Sequence, residues 1–189
     1  QRSNQLLVCQ IILATFSGCS SADENLPYLG EPEMARKVVD GKQVEKQVYP
    51  TIPDFSFTNQ YGETVTQKDV SGKIYVADFF FVTCPTICPI MKKNLLNVYK
   101  MYKDNPDIRI LSHTIDPDHD TPAVLKQYAQ DIGVTGKMWQ FVTGDREKIY
   151  DIGENHYLVT AGKDSTAPGG YMHSGAFVLI EKENHIRGM

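Results

Sequence analysis

The chain has 189 residues, which suits one domain with appendages rather than several domains. Hydrophobic residues make up 41% and charged residues 22%, a balance that supports a packed core and excludes wholesale disorder. The net charge of −4 leaves no basic footprint and sets nucleic acid aside as a partner.

Leu6 to Phe16 is an apolar run of signal-peptide length, too short for a bilayer span of ~20 residues. Phe16-Ser17-Gly18-Cys19 then places small residues directly before a cysteine. That arrangement resembles the lipobox of bacterial lipoproteins, which makes Cys19 the expected first mature and lipidated residue. A plain secretory signal cleaved near Gly18, or a buried helix, is the competing reading. Residues 1–18 are thus expected to be a signal peptide that takes Cys9 with it. Residues 19–49 are expected to be a lipid-anchored linker, because Ser20 to Pro50 is polar and lacks apolar periodicity. On this reading the protein is anchored to a membrane in the bacterial envelope, faces the periplasm, and does not span the bilayer.

The folded domain is expected over residues 50–189. Phe55 and Phe57 alternate with polar residues, and Asn59 to Gly62 reads as a turn before a short strand at 63–66. Ile74 to Val82 is nearly continuously apolar, as in a strand covered on both faces. Pro89 to Asp104 reads as a helix with Met91, Leu95, Val98 and Tyr102 on one face. A strand follows at 108–115, then the loop Asp116 to Pro122, where Asp120 or Thr121 can cap the next helix. That helix is expected to stop at Gly133. A strand at 139–142, a helix capped by Asp145 and reaching Asn155, a Gly-rich loop at 160–170, and strands at 175–181 and from 185 onward complete the order. Alternating strands and helices imply an α/β layer fold. A strand, a cysteine pair and then a helix is the layout of thioredoxin. Such folds close on a further helix, which is expected to be missing after Gly188-Met189.

Chemistry concentrates at Cys84-Pro85-Thr86-Ile87-Cys88-Pro89. Pro89 suits the first positions of a helix, leaving Cys88 at the helix start and Cys84 in the loop before it. Free backbone N–H groups and the helix dipole at that end favour thiolate, which is both a nucleophile and a soft-metal ligand. Three readings stay open on spacing alone: a dithiol oxidoreductase, a soft-metal site, or a structural disulfide. A metal would need a third ligand from His113, His119, His156, His173 or His185. His173 stands out because it ends a Gly-rich loop and precedes an apolar strand. Met172 is a soft donor but is expected to serve packing. Asp78, inside the strand at 74–82, is either satisfied by local hydrogen bonds or a buried proton acceptor beside the cysteines.

Taken together, Asp78 to Pro89, Ser112 to Pro122, Trp139 to Gly144 and His173-Ser174 resemble the Sco/SenC family of copper chaperones. The resemblance covers residues 50–189. It implies a thioredoxin-like fold, with an N-terminal β-hairpin and helices on both faces of a central sheet. It implies one copper ion, as Cu(I) or Cu(II), held by Cys84, Cys88 and His173. It places Asp116 among the residues supporting the site; Asp78, a supporting candidate from its own position in the strand, departs from the apolar residue that many relatives carry there. The implied role is assembly of the dinuclear copper centre of cytochrome c oxidase subunit II or a similar acceptor, by a metallochaperone rather than an enzyme. The alternative is an envelope thiol-disulfide oxidoreductase, or a peroxidase-like relative, using Cys84 and Cys88 without metal.

Overall fold

The computed structural model describes residues 25–189. The expected signal peptide, with Cys9, and the expected lipidation site Cys19 lie outside the described residues. Among the described residues no helix is long and apolar enough to cross a membrane.

The core is a seven-stranded mixed sheet. Its strands are β3 (Ser56–Asn59), β4 (Thr64–Thr66), β5 (Ile74–Phe80), β6 (Ile108–Thr114), β7 (Trp139–Thr143), β10 (Val178–Ile180) and β11 (Ile186–Gly188). They stand in the order β11-β10-β5-β6-β7-β3-β4. β5, β6 and β7 run parallel in the centre, and the outer strands pair antiparallel. The expected hairpin of β3 and β4 is closed by Asn59, whose side-chain oxygen accepts from the N–H groups of Tyr61 at 2.9 Å and Glu63 at 3.0 Å.

The pleat of β5 sorts its side chains onto two faces. Asp78 and Phe80 share one face with Ser112 of β6 and Phe141 of β7. Helices α2 (Cys88–Tyr102) and α3 (Pro122–Asp131) cover it through Met91, Leu95 and Tyr128. Tyr75 and Phe79 turn to the other face, where Tyr157 meets both. That face is covered by α4 (Arg146–Asp151) and a wider π-turn at Ile152–His156. Gly153 sits so close to Phe79 that a Cβ would lie 3.0 Å from the ring. Helices therefore lie on both faces of the sheet, as expected.

Local signals set most boundaries. Thr121 caps α3 by accepting from the Val124 N–H, and Pro122 occupies the first turn. Gly133, at φ +74°, follows the end of α3. The buried stripe of α2 runs Cys88, Met91, Leu95 and Tyr99, not out to Tyr102, which is exposed. Tyr99 wins because its ring packs on Trp139 and its hydroxyl donates to the Thr135 carbonyl at 3.0 Å.

Two hairpins depart from the expected order. Residues 33–48, inside the expected linker, form β1 (Glu33–Val39) and β2 (Lys42–Val48) around Asp40 and Gly41, both at positive φ. Such a two-residue Asp-Gly turn fits the twist of a hairpin. The Gly-rich loop supplies β8 (Ala161–Lys163) and β9 (Tyr171–His173), which pair with each other away from the main sheet. A short helix α1 (Gln67–Val70) follows β4, and the last described strand is β11.

Candidate metal centre

β5 delivers the chain to the site at its C-terminal end, and the turn is braced before it reaches Cys84. The Cys84 N–H donates to the Phe81 carbonyl at 3.2 Å. Asp120, wholly buried, accepts from the Val82 N–H at 3.0 Å and from the Thr114 hydroxyl at 2.5 Å, and it pairs with His119 Nδ1 at 2.7 Å. One carboxylate thus ties the exit of β5 to the exit of β6. Cys88 opens α2, with Ile87 before it and Pro89 behind it. This is the placement expected from Pro89.

His173 arrives from the far end of the sequence on β9. Its Nε2 lies 3.4 Å from Cys88 Sγ and 3.7 Å from Cys84 Sγ. Its Nδ1 faces the Ser174 carbonyl at 3.3 Å. A carbonyl only accepts, so Nδ1 carries a proton, and Nε2 is the ring nitrogen turned toward the two sulfurs. The three donor atoms lie within 4.8 Å of one another, and among the described residues they are the group able to hold a metal ion. Neither Cys84 nor Cys88 is in a disulfide, and both are buried. Two sulfurs and one imidazole nitrogen form a soft, three-donor set that suits Cu(I) or another thiophilic ion.

The β8–β9 hairpin is held from two sides. The Tyr171 hydroxyl donates to Asp116 Oδ1 at 2.6 Å, which ties β9 to the loop after β6. Burial, and then Asp116, push the Tyr171 phenol above its ordinary value. Beside it, Phe81 packs against Tyr171 at 5.1 Å and His173 at 5.9 Å. The turn Pro168–Gly170 rests directly on Phe81 and Pro85. Gly169 has φ +82°, and a Cβ there would stand 2.8 Å from the Phe81 ring. Met172 is half exposed and lines the same surface pocket as Cys84, Tyr171 and His173, so it is not part of the buried core.

The two sulfurs are electrostatically unequal. Burial raises the Cys84 thiol, but hydrogen bonds from Cys88, His173 and the backbone at Thr86 and Cys88 outweigh it, bringing it down to about 6. Cys88 is held well above its ordinary value by burial, by its bond to Cys84, and by the charges of Cys84 and Asp78. At neutral pH the pair is one thiolate and one thiol.

Asp78 lies behind Cys88. Ser112 donates its hydroxyl to Asp78, and the Trp139 indole N–H donates to Ser112 at 2.8 Å. Asp78, Cys88 and Ser112 line the same small internal void. Burial, only partly offset by Ser112, raises the Asp78 carboxyl to about 7. Both readings of this residue therefore have a basis: it is locally satisfied, and it sits beside a cysteine. The remaining histidines fall elsewhere. His113 is wholly buried in an aromatic cage of Phe57, Phe79 and Tyr157, and burial lowers it to about 4. His119 pairs with Asp120, His156 lies on the π-turn, and His185 in the β10–β11 turn bonds the Pro50 carbonyl. Sequence reasoning did not single out Asp120 as a clamp, nor Tyr171 and Gly169 as supports. The turn signal at Pro168-Gly169-Gly170 could have drawn attention to the last.

Residues 43–189 match the family model described as SCO1/SenC. The SCO1 protein homolog of Bacillus subtilis is 35% identical over 148 residues, covering 77% of this chain and 76% of that protein. Among solved structures, a SCO1/SenC family lipoprotein from Bacillus anthracis has a TM-score of 0.66 at 33% identity, covering 72% of this chain and 81% of its own. BsSco, described as a member of the Sco family of cytochrome c oxidase assembly proteins with a disulfide switch, has a TM-score of 0.63 at 29% identity, covering 72% and 80%. ScoI of Bradyrhizobium japonicum, solved with copper bound, has a TM-score of 0.62 at 26% identity, covering 72% and 87%.

Proposed function

Because this chain belongs to the SCO1/SenC family and gathers two cysteines and a histidine at one point, we propose that it is a copper chaperone. It takes one copper ion on Cys84, Cys88 and His173 and hands it on during assembly of cytochrome c oxidase. The receiving site is the dinuclear centre of subunit II or a similar acceptor. The observation that carries this reading is the convergence of Cys84 Sγ, Cys88 Sγ and His173 Nε2. The copper-bound relative and the relative described as an oxidase assembly protein support it. Cys19 is the proposed lipid anchor in the bacterial envelope, a placement supported by the lipobox-like sequence and by the relative described as a lipoprotein.

Loading follows from the unequal sulfurs. Cys84 meets the ion already as thiolate, whereas Cys88 gives up a proton when it binds. Asp78 is the nearby base for that proton, and Asp116 holds the hairpin that brings His173. Three ligands leave coordination open, so an acceptor can enter before the ion leaves. The test is a Cu(I) competition titration with X-ray absorption. One ion per chain with two sulfur neighbours and one nitrogen is expected. His173→Ala should weaken binding at least about tenfold, the lower bound typical of losing only a supporting contact. If the variant binds as the parent does, the ligand assignment is wrong.

One observation favours a second reading. A cysteine lowered to about 6 beside a free thiol is suited to thiol-disulfide exchange. The Cys84 thiolate would attack a partner disulfide, and Cys88, once deprotonated, would resolve the mixed disulfide. That leaves the partner reduced and Cys84–Cys88 oxidised. Disulfide reduction that persists undiminished in His173→Ala, with no copper binding by the parent protein, would establish this reading instead.

A further inference from the structure

The β1–β2 hairpin is not absorbed by the copper chemistry. Its unbroken register runs from Glu33 opposite Val48 to Val39 opposite Lys42. Directly opposed residues point to the same side of a sheet. One face therefore carries Glu33, Ala35, Lys37 and Val39 of β1 with Lys42, Val44, Lys46 and Val48 of β2. All three lysines of the hairpin fall on it, interleaved with valines. Val39, Val44 and Val48 are 53%, 46% and 42% exposed. The opposite face has Met34, Val38, Gln43 and Gln47, and its charges cancel in the pair Arg36–Glu45 at 3.3 Å. A two-stranded ribbon with an uncovered apolar face is marginal by itself and gains by covering that face.

The hairpin's place in the fold narrows what covers it. Its two flanks are pinned to the β10–β11 turn: the Leu29 N–H donates to the Ile186 carbonyl and the Ile52 N–H to the Asn184 carbonyl, each at 2.9 Å. Tyr28 stacks on Tyr49 at the base, and the Arg187 guanidinium lies over Tyr28 at 4.1 Å. Ile180 of β10 pairs with Tyr75 near the start of β5, whereas Cys84 follows the end of β5. The hairpin thus leaves the pole opposite the cysteines, separated from them by most of the length of β5, about 17 Å from Tyr75 to Phe80. The chain entering β1 comes from the apolar stretch Leu6 to Phe16 and from Cys19. About 14 residues link Cys19 to Glu33, a reach of at most about 50 Å.

We propose that the Lys37–Lys42–Lys46 face of the β1–β2 hairpin docks on an anionic phospholipid surface, seating valines among the headgroups and directing the cysteine pole away from it. Charge complementarity selects the lipid. Lysine ammonium groups reach phosphates while their stems and the valines cover apolar headgroup-level surface. The docking stands apart from the lipidation of Cys19, which only raises the local concentration of the surface.

Hydrogen exchange on the full chain tests this. It is measured in buffer, with phosphatidylcholine vesicles, and with phosphatidylcholine vesicles containing one third phosphatidylglycerol. Amides of 33–48 should slow only with the anionic vesicles, while β5 and β6 serve as unchanged internal controls. Lys37→Gln/Lys42→Gln/Lys46→Gln should abolish the slowing and cut the anionic-over-neutral preference on the order of a hundredfold, at about fivefold per lysine. All three lysines are exposed, so the variant keeps its core. Equal exchange of 33–48 with and without anionic vesicles overturns the proposal. So does slowing in buffer that grows with protein concentration, which would assign the face to a second copy. Binding to neutral vesicles reports on the leader and Cys19 separately, so failure of the anchor and failure of the hairpin are told apart.

Discussion

At the scale of single residues, proton affinity is the property most changed by the fold. Cys84 lies below its ordinary value and Cys88 above it, so loading Cu(I) at neutral pH releases about one proton, from Cys88. Below about pH 6 Cys84 is also protonated, and two protons compete with the ion. As pH is lowered, apparent Cu(I) affinity should fall about tenfold per unit down to pH 6 and about a hundredfold per unit below it. Competition titrations across pH 5 to 8 check the break. Asp78 is raised from 3.8 to about 7, so the native state holds its proton where the unfolded chain has lost it. Its contribution to stability is fully present below 3.8 and is lost as pH climbs toward 7. Cys84 acts oppositely between 6 and 9, so the comparison must be with Asp78→Asn. In copper-free urea unfolding, wild-type stability minus that of Asp78→Asn should decline from pH 5 to pH 8. A difference independent of pH would remove Asp78 as a titrating group.

At the scale of elements, the β8–β9 hairpin decides whether three donors meet. It lies outside the main sheet, and it is positioned by Tyr171 on Asp116 and by the 168–170 turn on Phe81. Gly169→Ala forces a left-handed residue, costing about 1–2 kcal/mol, and drives a Cβ into the Phe81 ring. Cu(I) affinity should drop about tenfold or more while the circular dichroism of the sheet and helices is retained. Affinity equal to the parent's would show that the turn does not position His173. Tyr171→Phe removes only the bond to Asp116 and should cost less. The helix-start placement of Cys88 was legible from Pro89 alone, because proline is tolerated in few helical positions. The pairing of β8 with β9 was not, because strands of three residues carry too little alternation to be seen.

At the scale of the whole molecule, the site joins segments 89 residues apart in the chain, so the complete donor set exists only in the folded state. Copper should therefore stabilise folding: at a free concentration of 100 Kd the gain is about 2.7 kcal/mol, or roughly 5–10 °C in melting temperature. Residual binding by the two cysteines of the unfolded chain trims that gain. The rise should shrink markedly in His173→Ala, and differential scanning calorimetry reads both.

The sequence by itself determined the alternation of strands and helices, the loop-and-helix setting of Cys84 and Cys88, and the family that the distant motifs resemble. These rest on local signals: apolar periodicity, prolines, caps and the spacing of reactive side chains. His173 was a candidate by position, and its resemblance-based role gained a geometry only when β9 brought Nε2 to the two sulfurs. Only the tertiary structure decided that Asp120 clamps the exits of β5 and β6, that Tyr171 and Gly169 seat the histidine strand, and that one cysteine is favoured as thiolate and its neighbour as thiol. The hairpin at 33–48 had its Asp-Gly turn in plain view, but its pole opposite the cysteines follows from strand pairing. Hydrogen bonds and burial act through space between residues far apart in the chain, so local pattern carries no record of them.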